Sequence, residues 1–132
     1  MDETCAWMAK AAIAELITRY AALIDAGDWD GVAALYTEAG RMSRPTAPDQ
    51  FIDGRAAILA AFRARPPRTS RHIIANVLVT LDSETDARVS SQILLYTQAQ
   101  APPLVGTYHD RLLKTAHGWR FVERRASMDF AP

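Results

Sequence analysis

The chain has 132 residues, 49% of them apolar and 23% charged, which excludes a disordered chain and leaves ordinary globular composition. At roughly 100–200 residues per domain, residues 1–132 make one domain, large enough for a hydrophobic core without disulfide or metal staples. Lys plus Arg and Asp plus Glu are both 15, so no basic excess exists to neutralise nucleic-acid phosphates, and nucleic acid is not an expected partner.

Ile13, Leu16, Ile17, Tyr20, Leu23 and Ile24 recur at helical spacing, which predicts one apolar stripe on a helix over residues 9–26. Alanines fill the gaps, and Gly27 ends the helix. Asp28 reads as the N-cap of a short helix carrying Trp29, Val32, Ala33 and Tyr36. Glu38 to Arg44 reads as a strand that stops at Pro45. The prolines and turn residues of Pro45 to Asp53 read as a loop. Gly54 to Arg65 is helical, with Ile58, Leu59 and Phe62 inward, and Pro66 and Pro67 stop it.

Beyond this point the pattern changes to strands. Arg71–Leu81 is rich in β-branched residues. Ala87–Gln100, Leu104–Ala116 and Trp119–Phe130 follow, joined by short turns at Asp82–Asp86 and His117-Gly118. Helices first and a strand meander after is the α+β pattern: helices packed on one face of a strongly curved antiparallel sheet. The lone Cys5 excludes an intrachain disulfide and a thiolate metal site, and fits a reducing compartment. No apolar run reaches the ~18 residues of a membrane span. The N-terminus lacks the basic start and apolar core of a signal peptide, so the expectation is a cytoplasmic protein with no membrane partner.

Four segments carry a family resemblance. They are Ile17–Leu35 (ITRYAALIDAGDWDGVAAL), Arg55–Phe62 (RAAILAAF), Ser70–Val77 (SRHIIANV) and Gly118–Arg125 (GWRFVERR). In this order and spacing the chain resembles the nuclear transport factor 2-like superfamily, and within it the SnoaL-like proteins. The third segment resembles scytalone dehydratase-like proteins and the small subunits of ring-hydroxylating dioxygenases. The resemblance implies a cone: a curved sheet around a pocket, closed at its narrow side by three helices. It does not fix a function, because this fold hosts dehydratases, isomerases, cyclases and non-catalytic subunits.

The sequence has no phosphate-binding glycine loop, no His-x-Glu-x-x-His and no Gly-x-Ser-x-Gly. Three scattered histidines give no metal spacing, so neither a metal nor an organic cofactor is expected. Acid–base chemistry by single side chains remains. Strand alternation puts His72, Ile74, Asn76 and Leu78 on one face. A partly desolvated His72 there would titrate near neutrality, as a general base should, although the strand alone favours a core histidine with a satisfied hydrogen bond. The resemblance implies His72 as the base and Asp25, at the end of the first helix, as the carboxylate that orients it. By helical geometry alone Asp25 lies roughly 140° from the centre of the apolar stripe, so it reaches a pocket only if the helix ends or bends there. Asp28 is the other candidate, though capping already accounts for it.

By the same resemblance Tyr20 donates a hydrogen bond to a carbonyl or leaving group. Its place on the apolar stripe favours a core aromatic. Asn76, Tyr96, Tyr108 and Arg125 are the candidate substrate-binding residues; Asp110 lies on the same strands. Regular alternation groups Arg125 with Trp119, Phe121 and Glu123, and an inward arginine there would bind an anionic or leaving group. The reading is a cofactor-independent lyase or isomerase acting on a small hydrophobic or aromatic, ring-containing substrate. The alternative is a non-catalytic binding module, like a dioxygenase small subunit. The resemblance implies pairing across outer sheet faces, as a homodimer or else a trimer, and apolar residues on both faces of Arg71–Leu81 agree that the second face is covered.

Overall fold

The computed structural model describes residues 1–130. Helix α1 spans Glu3–Ala26, starting earlier than the apolar stripe because the Asp2 carboxylate caps it, accepting the Cys5 N–H at 2.7 Å. Ile13, Leu16, Ile17, Tyr20 and Ile24 are buried, as their spacing requires. Gly27 closes α1 in the left-handed region (φ 70°), donating its N–H to Ile24, while Asp28 N–H reaches back to Leu23. Asp28 then caps α2, Trp29–Ala33, accepting the Gly31 N–H at 2.9 Å.

Strand β1 is Tyr36–Arg44. Residues Ala47–Asp53 form a second strand, β2, where turn residues predict a loop. It pairs only with β1, at the sheet edge, and an edge strand tolerates Pro48 because one side of its backbone needs no partner. Helix α3, Arg55–Arg63, packs on α2 and β1, and the Arg55 guanidinium donates to the Tyr36 carbonyl at 2.7 and 3.0 Å.

The long strands are β3 (Arg71–Leu81), β4 (Asp86–Tyr96), β5 (Leu104–Thr115) and β6 (Gly118–Met128). All six strands form one curved sheet in the order β2-β1-β6-β5-β4-β3. The sheet is mixed rather than wholly antiparallel: β1 enters parallel to β6, with Tyr36 opposite Phe121. The helices cover one face, and Ile13, Ile17, Val32, Ile58, Phe62 and Phe121 form the core between the layers.

Besides the irregular pairing of β1, two bulges interrupt the alternation of the long strands. Register slips between Ala75 and Leu78, where Asn76 adopts φ 54°, a conformation that asparagine tolerates better than most residues. Before the bulge His72 and Ile74 face inward. After it Val77, Val79 and Leu81 do, while Asn76 and Leu78 are exposed. The expected grouping of His72 with Asn76 and Leu78 therefore fails at the bulge. A second slip sets Arg111 opposite Glu123 but Leu112 opposite Phe121, so Val122 is the extra residue. Beyond it Arg124 and Ala126 turn inward, and Arg125 turns out.

No helix among the described residues is long and apolar enough to cross a membrane. The outer face of β3 and β4 leaves Ile73, Leu78 and Tyr96 exposed.

Candidate active site

Asp25 sits in the last turn of α1, just before the Gly27 stop, and so reaches the start of β3 instead of pointing to solvent. Its carboxylate accepts three hydrogen bonds: from Ser70 Oγ at 2.9 Å, from the His72 backbone N–H at 2.8 Å and from His72 Nδ1 at 2.5 Å. Side-chain exposure is 6% for His72 and 7% for Asp25, so both are shielded from water. Burial alone would raise the Asp25 pKa. The bonds from the His72 backbone, the His72 ring and Ser70 outweigh it and hold the carboxyl below its ordinary value.

An ionised carboxylate only accepts, so Nδ1 carries the ring proton and Nε2 carries the lone pair. His72 lines the cavity beside it. Burial pushes the imidazole below its usual pKa; Asp25 opposes this, and Arg68 and Arg124 reinforce it. The result near neutral pH is an uncharged imidazole with its basic nitrogen free, the state a general base needs.

The cavity has a volume of about 410 Å³ and lies under α1, between β1, the long strands and the 64–70 loop. Ile24, Met42, Phe62, Ile93, Leu95 and Leu104 supply its apolar wall. Tyr20 and Tyr108 reach it from α1 and β5. The Tyr20 hydroxyl lies 2.8 Å from that of Tyr36, which stands behind it. Burial raises both hydroxyl pKa values and pushes Tyr108 up to about 12, so these phenols stay protonated.

Arg124 is the member of the site that strand alternation misassigns. It is 1% exposed and lines the cavity from β6. Its Nε donates to Asp110 Oδ1 at 3.0 Å, while its two terminal nitrogens have no protein partner. Its guanidinium carbon lies 3.7 Å from the Tyr108 ring centroid and 4.3 Å from that of Tyr20. The sequence holds one sign of this: Phe121 and Ala126 are both core-like yet of opposite parity, which demands a bulge between them.

His72, Asp25, Tyr20 and Tyr108 thus come together, and Asn76, Tyr96 and Arg125 do not. Asn76 is exposed at the β3 bulge. Tyr96, 40% exposed, lies on the outer face opposite Arg71. Arg125 is turned out by the β6 bulge and pairs with Asp49 of β2 at 3.1 Å. Among the described residues no group of three or more His, Cys, Asp or Glu could hold a metal ion.

Residues 7–125 match the SnoaL-like domain family. The chain belongs to that family. The likeness extends to solved structures. One is a protein provisionally named scytalone dehydratase, from Novosphingobium aromaticivorans. It is 24% identical, with 98% of this chain and 89% of that one covered and a TM-score of 0.85. A variant of Rv3472 from Mycobacterium tuberculosis, a protein of unknown function, is 26% identical over 95% of this chain and 79% of that one, TM-score 0.81. LinA is 15% identical over 98% of this chain and 92% of that one, TM-score 0.86. At these identities the first and last comparisons establish a shared fold. No curated protein matches this SnoaL-like chain.

Proposed function

We propose that this SnoaL-like protein is a cofactor-independent lyase or isomerase that abstracts a proton from carbon, with His72 as general base. The observation that carries the reading is the Asp25–His72 pair: an ionised carboxylate on Nδ1 leaves the Nε2 lone pair in a largely apolar cavity. Membership of a family with dehydratase- and dehydrochlorinase-type neighbours agrees with it.

In this reading Nε2 takes a proton from a carbon next to a carbonyl. The C–H electrons form the carbon–carbon double bond of an enolate, and its oxygen takes the charge. The charge of Arg124 at the cavity wall and the Tyr20 hydroxyl, supported by Tyr36, stabilise that oxygen. Asp25 fixes the tautomer and stabilises the imidazolium. If a hydroxyl stands on the next carbon, the imidazolium proton leaves with it as water. If a β,γ double bond stands there instead, the enolate extends over it as a dienolate, the imidazolium proton goes to the γ carbon, and the product is the conjugated isomer. Dehydration is the preferred outcome, on a ring-containing substrate that the Ile93, Leu95 and Phe62 walls accept.

The test is deuterium exchange. Ring-bearing ketones and β-hydroxy carbonyl compounds are incubated with the protein in D2O and followed by NMR. Exchange at the activated carbon, lost in His72→Ala, is the expected result. Exchange that persists in His72→Ala, or is absent across the panel, overturns the reading in favour of a binding module.

We also propose a homodimer through the outer sheet face, supported by the exposed Ile73, Leu78 and Tyr96. Light scattering after size exclusion is expected to give twice the chain mass, and Leu78→Glu to reduce it to one. A wild-type monomer at micromolar concentration would refute this.

A further inference from the structure

The cavity wall carries Arg44, Arg65, Arg68 and Arg124, and among its lining residues there is no Asp or Glu. Arg124 is balanced by the buried Asp110. Arg44, Arg65 and Arg68 have no carboxylate partner among the described residues. Elsewhere Arg41 pairs with Glu123, Arg63 with Asp30, Arg88 with Asp82 and Arg125 with Asp49, while Arg55, Arg71, Arg111 and Arg120 also lack a carboxylate among the described residues; what sets Arg44, Arg65 and Arg68 apart is that they gather on one cavity.

Arg44 and Arg65 are not simply solvated, whereas Arg68 stands exposed at the rim. Arg44 is half-buried, its Nε is buried without a partner, and one terminal nitrogen reaches the Ala61 carbonyl only at 3.5 Å. Arg65 is half-buried and its guanidinium carbon lies 4.4 Å from the Phe62 ring centroid. Burial lowers the Arg65 pKa, and the charge of Arg44 lowers it further, with Arg68 adding to the effect. Like charges collected beside an apolar cavity destabilise the empty protein. An anion entering between them removes that repulsion.

We infer that Arg44, Arg65 and Arg68 form an anion subsite at the cavity mouth, and that the substrate is a ring-bearing organic acid whose carboxylate they hold. Guanidinium groups match a carboxylate in bidentate geometry. The apolar remainder of the wall takes the ring: Ile24, Phe62, Ile93, Leu95 and Leu104 face it. A carboxylate anchored at the mouth leaves the opposite end of the molecule toward His72 and Arg124. The inference rests on the proton-abstraction reading only for that direction; binding itself does not require chemistry.

Titration calorimetry tests it with matched pairs: benzoate, cinnamate and 1-naphthoate, each against its primary amide. A charge-assisted contact to one side is worth about tenfold or more in affinity. At least one carboxylate is expected to bind about tenfold tighter than its amide, with the advantage shrinking as salt rises. It should disappear in Arg65→Gln/Arg68→Gln, with the fold checked by circular dichroism, and persist in His72→Ala. Amides binding as tightly as acids in every pair, no binding in any pair, or a preference untouched by salt and by the arginine changes would overturn the subsite. Carboxylate preference without deuterium exchange leaves the subsite standing and removes the base chemistry. Exchange without carboxylate preference does the reverse.

Discussion

Replacing His72 with Ala is expected to lower turnover about 10²–10⁴-fold, the usual contribution of general base catalysis, with the fold retained. The pH profile carries the sharper information. Activity follows the neutral imidazole, so it should rise with pH and then level off. Burial sets the folded His72 below its ordinary value, so the midpoint should fall below 6.5. The charged groups that act on the ring are Asp25 from α1, Arg68 from the 64–70 loop and Arg124 from β6. Asp25 alone raises the pKa. Asp25→Asn should therefore shift the midpoint to still lower pH while reducing the plateau, because an amide can present its N–H to Nδ1 and stabilise the wrong tautomer. A core histidine without a catalytic role would give neither the midpoint shift nor the loss of plateau. A midpoint above 6.5 would mean that the Asp25 attraction outweighs burial.

Linkage gives the same pair a stability signature. The His72 pKa is depressed on folding, so the stability it contributes is present above 6.5 and falls as pH drops below that value. The Asp25 pKa is also depressed, and its contribution is lost below 3.8.

The sequence makes helices legible because their apolar stripe is long. Five of the six stripe positions of α1 are buried, Leu23 being half-buried, and Gly27 marks its end. That end is also what rescues Asp25, off-stripe by periodicity, since a carboxylate in the final turn can reach past the helix to a strand start. Strands are legible only while the two-residue period holds. At Asn76 and Val122 one inserted residue reverses the faces, and each bulge displaced a site prediction: Asn76 from the cavity, and Arg125 in favour of Arg124. Strand β2 reads as a loop because Pro48, Asp49 and Ala47 have poor strand propensity, and its stability comes from pairing with β1 rather than from its own residues. Arg44, Arg65 and Arg68 are unreadable as a group, because they meet only when the end of β1 and the 64–70 loop are folded against each other.

The largest expected loss of stability belongs to Arg124. Removing one partner of a buried ion pair typically costs about 3–5 kcal/mol, because the other charge is left uncompensated. Arg124→Leu leaves Asp110, 2% exposed, without its cation. Burial already pushes the Asp110 carboxyl up to about 6, with Arg124 pulling it down. Without Arg124 that pKa must rise further. A carboxyl whose pKa is raised on folding contributes most when protonated, below its unfolded value of 3.8, and loses that contribution as pH rises through the folded value. The deficit of Arg124→Leu relative to wild type should therefore be largest above pH 7 and narrow toward pH 4, as read from urea midpoints. Arg124→Met/Asp110→Leu should recover most of the stability, since an apolar pair of similar volume often replaces a buried ion pair without loss. It should not recover activity, because the positive charge at the cavity wall goes with Arg124. An Arg124→Leu protein as stable as wild type at neutral pH would mean that Asp110 is protonated in the folded state, and that Arg124 is retained for the cavity alone.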